Sequence, residues 1–359
     1  MPEQTHLSEA FKDHFGHPAE AEATAHGRVN LIGEHTDYCD GFVMPTLIRP
    51  SISVALSLCK DGQISGVSDG FEAETVPLMP VATQSWLRFV QGAVHYLNEK
   101  GADIQGVNLM VASDIPAGAG VSSSAALEIA LLRALTACTK QHFCDEELAV
   151  IGRQIEHHFV GTQCGIMDQM AVAKATLGEA LFLDCRSHEA ELVLLPASAR
   201  LVVIHSGSSR SLSSSLYNER LKETQLAAKT LGLSSLRDAK VDDFKQISDA
   251  LIAKRARHVI TENQRVLDAK QALMDQELET LGMLMNQSHR SLAEDYEVSS
   301  AELDHLVMAA HTAGAYGARL TGAGFGGCII ALMPAENLSQ RVNQILKNAP
   351  ASWLVDISD

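Results

Sequence analysis

The spacing of apolar and polar residues changes period along this chain. Over 106–112, Val107, Leu109 and Val111 alternate with Asn108 and Met110, the two-residue period of a half-buried strand. The run 125–138 is almost wholly apolar and predicts a buried helix. In 146–159, Leu148, Ile151, Ile155 and Phe159 recur at spacings of three, four and four, with Asp145 as N-cap and Gly161 just past the end. Four later stretches, 212–231, 241–253, 260–274 and 278–291, mix charge and apolar residues at helical spacing. Short apolar runs at 192–195 and 201–205 flank the turn at Pro196, and 317–320 and 328–333 read as strands around a glycine-rich turn. Eight of the ten prolines lie at or before Pro196 and none between Pro196 and Pro334, so long helices belong to the later part. The expected domains are 1–196 and 197–359.

Composition narrows the partners. The chain has 359 residues, 46% apolar and 20% charged, enough for two cored domains. Its 28 basic and 44 acidic residues leave a net charge of −16, which argues against nucleic acid or an anionic membrane as partner. The N-terminal MPEQTHLSEAFKDHF has no apolar signal core, and 125–138 carries Glu128 and Arg133. Seven cysteines without metal-ligand spacing read as reduced thiols, and the expected location is cytoplasmic.

Candidate chemistry lies in four places. GRVNLIGEHTDYCDGFVMP at 27–45 delivers Arg28, Asn30, Glu34, His35, Asp37 and Tyr38 around apolar Val29, Leu31 and Ile32. Carboxylates accept hydrogen bonds from adjacent hydroxyls, so this cluster suits a polyol or sugar; a polar turn after an edge strand is the plainer alternative. After the 106–112 strand, Gly118, Ala119, Gly120 and Val121 lead into Ser122, Ser123 and Ser124 at the start of the apolar helix. Exposed N–H groups and the helix dipole make such a loop an anion site, without the GxxxxGK[ST] of a Walker loop. Glu156 and Asp168 follow, each readable alone as a solvated carboxylate. TGAGFGG at 321–327 contains the string of a dinucleotide fingerprint, but a strand follows where that motif needs a helix.

Taken together these stretches resemble the GHMP kinases and, among them, the galactokinases. GRVNLIGEHTDY resembles the sugar signature, PAGAGVSSSAALE the second motif and TGAGFGG the third. EHHFVGTQCGIMDQ is similar to the stretch carrying a magnesium-binding glutamate and the catalytic aspartate, and SLSSSLYNERLKE to the segment whose tyrosine contacts sugar. Val121 stands where leucine is commoner, and Lys222 where a second arginine is common. The resemblance implies an α/β (α+β) fold of two GHMP domains with the active site in the cleft between them. It implies ATP and Mg²⁺ as cofactors and phosphorylation of the anomeric hydroxyl of D-galactose to galactose 1-phosphate.

Carried over by position, Asp168 is the catalytic base and Arg28 its partner, whose charge would lower a neighbouring carboxylate pKa by roughly 1–3 units. Glu34, His35, Thr36, Asp37, Gly165 and Tyr217 bind sugar, residues 118–124 bind nucleotide, and Ser124 and Glu156 hold the metal. Two alternatives stay open: a kinase for N-acetylgalactosamine or another sugar, and a galactose sensor without turnover. Thr36 between His35 and Asp37 favours plain galactose, and the intact 122–126 segment favours a catalyst. The expected protein is a monomer with no nucleic-acid or membrane partner.

Overall fold

Strand Val107–Ser113 buries Val107, Leu109 and Val111 as the alternation requires, and it anchors the first of two compact units. The computed structural model describes residues 4–79, 85–208 and 213–358. The first unit draws on 1–27, 50–116 and 122–174, the second on 28–49, 117–121 and 175–359. Residue 196, where the sequence reading divides the chain, therefore lies within the second unit.

In the first unit Val107–Ser113 pairs antiparallel with the end of Pro45–Leu58 and parallel with Gln63–Ser68, which pairs in turn with Glu74–Pro77. Helices Arg88–Glu99, Ser123–Thr139, Asp145–Ile155 and Met167–Lys174 pack together. Ser123–Thr139 is buried on nearly every side, which is why its sequence is apolar all round. The helix expected over 146–159 forms, though not as α-helix throughout. Cys144, rather than Asp145, is its N-cap, with its N–H donating to Glu147 Oε2 at 2.8 Å. The α-helix ends at Ile155 and one π turn, Glu156–Val160, follows before Gly161 at φ 90° ends it. Such π turns widen the backbone locally and re-aim side chains.

In the second unit one sheet of four strands runs in the order Gly317–Thr321, Cys328–Pro334, Ala199–His205 and Trp353–Ile357, all antiparallel. Helices Ser213–Thr230, Ala250–Met274 and Leu278–Glu294 pack in sequence, and Leu278–Glu294 and Ala301–Thr312 lie on the Gly317–Thr321 strand. Leu212, the expected first residue of the 212–231 helix, lies outside the described residues. The helix expected over 241–253 is absent. A short 3-10 turn, Asp243–Gln246, precedes Asp249, whose Oδ1 accepts from the N–H groups of Leu251 and Ile252. That cap starts a 25-residue helix, Ala250–Met274, which absorbs the separately expected 260–274. Gly317–Thr321 and Cys328–Pro334 bracket the glycine turn as expected, so no dinucleotide βαβ unit exists there. All seven cysteines are free thiols, and among the described residues no helix is long and apolar enough to cross a membrane.

Candidate active site

The first unit carries Ser122, Ser123, Ser124, Glu156, Gly165 and Asp168; the second carries Arg28, Glu34, His35, Thr36, Asp37, residues 118–121 and Tyr217. In the first unit, Ser122 sits at φ 61° immediately before the Ser123–Thr139 helix. It makes no side-chain cap there; its hydroxyl donates to Asp168 Oδ2. Asp168 stands in the first turn of Met167–Lys174, half-buried, three residues after the buried Gly165. Ser123 is exposed.

Glu156 is buried at the start of the π turn. Burial pushes its carboxyl up from the usual carboxylate range, the Ser124 hydroxyl bonded to it pulls it back, and the like charge of Asp168 adds to the rise. The sequence marks Glu128 only as a charge within the apolar run 125–138. It is fully buried, with Oε2 accepting from Gln169 Nε2 at 3.0 Å and no partner on Oε1. Burial, then Glu156 and Asp168, push Glu128 well up. The Ser124 hydroxyl and Glu156 carboxylate are hard oxygen donors suited to Mg²⁺.

In the second unit the candidate residues start at the end of strand Ala21–Asn30. Arg28 N–H donates to Val121 O at 3.0 Å, and its Nη1 donates to Gly120 O at 3.3 Å, so the strand steadies the glycine loop. Gly118 and Gly120 take φ of 73° and 72°, a conformation that costs glycine little. Ala119 O accepts from the buried Cys328 thiol at 3.2 Å, joining this loop to the strand after the third glycine motif.

Glu34 is buried against that third motif. Its Oε1 accepts from Gly322 N–H at 2.6 Å and from the Thr321 hydroxyl at 3.1 Å, with Arg319 Nη2 at 3.6 Å. Burial raises its carboxyl while Arg319, then Arg28, oppose the rise. The Thr36 hydroxyl, fully buried, is shared between the carbonyls of Gly33 at 2.8 Å and Phe42 at 2.7 Å, so it ties the turn to itself. His35 Nε2–H donates to Ala323 O at 3.2 Å, which leaves Nδ1 to accept from the Tyr38 hydroxyl at 2.7 Å. That tautomer follows from the network, and Tyr38 then accepts from Tyr296 at 2.8 Å. Burial takes His35 down to about 3, so the ring is neutral. Tyr217, on Ser213–Thr230, packs 5.6 Å from His35 and edge-on to Tyr38 at 5.3 Å. Asp37 is half-buried at the start of the short turn Asp37–Cys39.

Residues 9–58 match the galactokinase galactose-binding signature, 88–175 the GHMP kinases N terminal domain and 269–350 the GHMP kinases C terminal. The chain is similar to Lactococcus lactis galactokinase, solved with galactose, at 32% identity over 99% of this chain and 98% of that one, with a TM-score of 0.92. It shares its fold with Streptococcus pneumoniae phosphomevalonate kinase, solved with phosphomevalonate and AMPPNP, at 14% identity over 94% of this chain and 99% of that one, TM-score 0.69. The mevalonate kinase of Methanococcus jannaschii, at 18% identity over 94% and 97%, TM-score 0.65, is a further likeness in fold. An identity of 32% sustained over 99% of the chain, together with the galactose-binding signature, places this chain in the galactokinases of the GHMP kinase family.

Proposed function

We propose that this galactokinase-type sugar kinase transfers the γ-phosphoryl group of ATP to the anomeric hydroxyl of D-galactose, giving galactose 1-phosphate and ADP. The observation that carries the reading is the galactose-binding signature, with Glu34 fixed beneath the third glycine motif. Glu34, His35, Asp37 and Tyr217, with the Gly165 backbone, are assigned to the sugar, Asp37 and Tyr217 being only partly buried.

Phosphoryl transfer asks for positioning and charge stabilisation more than covalent chemistry. Asp168 is assigned as the group that accepts, or orients, the proton of the anomeric hydroxyl, with the Ser122 hydroxyl holding Oδ2 in place. The backbone N–H groups of 118–124 are assigned to the ATP phosphates, and Arg28 to the charge that spreads over the transferring group. Ser124 and Glu156 would hold Mg²⁺, which when bound neutralises phosphate charge.

The test is product analysis with purified protein, ATP and Mg²⁺ over galactose, glucose, N-acetylgalactosamine and mevalonate. Galactose 1-phosphate as the dominant product supports the reading; sugar binding without ATP turnover assigns a sensor instead.

A further inference from the structure

One helix presents three buried polar side chains to the turn that carries Glu34, and each engages a different backbone group. His258 Nε2 donates to Glu34 O at 3.0 Å, Glu262 Oε1 accepts from Gly33 N–H at 2.9 Å, and Asn263 Oδ1 accepts from Phe42 N–H at 2.9 Å. All three lie on Ala250–Met274 and are buried. Positions 258 and 262 are one helical turn apart on one face, and 263 stands about 100° further round the same helix. Residues 31–41 form almost no ladder of their own, and buried N–H and C=O groups must find partners elsewhere.

The helix is also shaped to the turn. A Cβ on Gly33 would meet Val266 Cγ2 at 2.9 Å, and one on Gly41 would strike Asn263 Oδ1. Glu262 is itself held fast, its Oε1 accepting from the Ser288 hydroxyl at 2.6 Å and its Oε2 from Arg265 Nε at 2.7 Å. Burial opposes its charge, but Arg265 and its neighbours outweigh burial and take the carboxyl down to about 2. Glu262 is therefore an anion at neutral pH, a strong acceptor for an amide N–H.

We propose that His258, Glu262 and Asn263 are positioning residues for sugar recognition: they hold residues 33–42 in the conformation that presents Glu34 and Asp37, without touching the sugar themselves. What the turn binds rests on the galactose-kinase reading; that the helix holds the turn does not. Ordinary core packing would spread such bonds over the unit, whereas these three fall on Gly33, Glu34 and Phe42, the start and the end of the turn that carries Glu34 and Asp37.

The variants are Glu262→Leu, which leaves Gly33 N–H without its acceptor, Asn263→Ala, which does the same to Phe42, and Glu262→Gln, which keeps an acceptor oxygen. Leu273→Ala, about 16 Å further along the helix, is the control for a plain loss of core packing; Leu273 is buried. Hydrogen–deuterium exchange over residues 31–43 needs no substrate. Exchange there should accelerate in Glu262→Leu and Asn263→Ala but keep its parental rate in Leu273→Ala. Leaving a buried donor unpaired should raise the galactose KM and calorimetric Kd roughly tenfold, with the ATP KM changed by less than about twofold. Glu262→Gln should recover most of the galactose affinity.

Unchanged exchange over 31–43 in well-folded Asn263→Ala overturns the proposal, and that variant decides alone if Glu262→Leu does not fold. So does accelerated exchange with parental galactose affinity, or parallel rises in both KM values matched by Leu273→Ala. A parental protein that neither binds nor phosphorylates galactose overturns the functional reading instead, and that is seen before any variant is made.

Discussion

Ser122 donates its hydroxyl hydrogen bond to Oδ2 of Asp168, although its place in the chain is that of a helix cap. The first of the three serines thus belongs with the carboxylate of the first unit, while Ser124 belongs with Glu156. Asp168→Asn keeps the shape and removes the proton acceptor, so turnover should fall about 10²–10⁴-fold while the galactose Kd moves far less. Ser122→Ala should lower kcat in the same direction by a smaller factor and leave the ATP KM near parental. Steady-state kinetics beside sugar calorimetry separate these effects; an Asp168→Asn protein with near-parental turnover removes Asp168 from the chemistry.

Glu156 and Ser124 make a separable prediction about metal. Ser124→Ala and Glu156→Ala should each raise the Mg²⁺ concentration needed for half-maximal activity, with galactose binding retained without nucleotide. Because Ser124 also pulls the Glu156 carboxyl down, Ser124→Ala should leave Glu156 more readily protonated. Its Mg²⁺ requirement should therefore steepen on going to lower pH. Parental Mg²⁺ dependence in both variants reduces Ser124 to a helix residue and Glu156 to a buried acid.

Stability should fall on the acid side in a way two histidines account for. Burial holds His35 down to about 3 and His258 to about 4, against 6.5 for an exposed imidazole. Between those values the unfolded chain takes up protons that the folded chain refuses. The contribution is therefore full above 6.5 and is lost as pH falls towards 4 and then 3. Each histidine contributes a slope of at most about 1.4 kcal/mol per pH unit. Urea midpoints measured from neutral pH downward should drop, less steeply in His35→Gln and His258→Asn. Equal slopes in parental and variant proteins contradict the burial of neutral rings.

Gly33 should not accept a side chain. Its φ is +102°, and a Cβ would meet Phe42 O at 2.7 Å and both Val266 Cγ2 and Val43 Cα at 2.9 Å. A left-handed conformation costs an L-residue roughly 1–2 kcal/mol before any clash, and backbone atoms cannot give way as a flexible side chain can. Gly33→Ala should lower Tm markedly and weaken galactose binding, whereas Gly16→Ala, strained in φ but open in space, should cost only the conformational part. Thermal melts of the two variants check the difference.

What the sequence discloses depends on whether partners are neighbours in the chain. The alternation at 107–111, the apolar run that became Ser123–Thr139 and the glycine turn between paired strands are local patterns, and the folded chain follows them. The sugar turn and the anion loop were legible for the same reason, since their residues are contiguous. Glu262 meets Gly33 across 229 positions, so among the polar residues of a helix it looked like any solvated carboxylate. Arg319, which supports Asn30 and Glu34, was hidden in a short apolar strand for the same reason. The start of Ala250–Met274 was missed because apolar residues continue the helical spacing across Asp249, whose capping role only the backbone reveals. No residue type marks the π turn at Glu156.

The most direct measurement of the central claim is the rate of ATP-dependent sugar 1-phosphate formation with galactose and glucose at equal concentration. A site built to pair one hydroxyl can disfavour a ligand that leaves its buried groups unpaired by about 10⁴-fold, with an epimer losing less. The expected result is galactose 1-phosphate and ADP in equal amounts, with glucose turned over far more slowly. Equal turnover of the two sugars, or tight galactose binding with no ADP released, contradicts it.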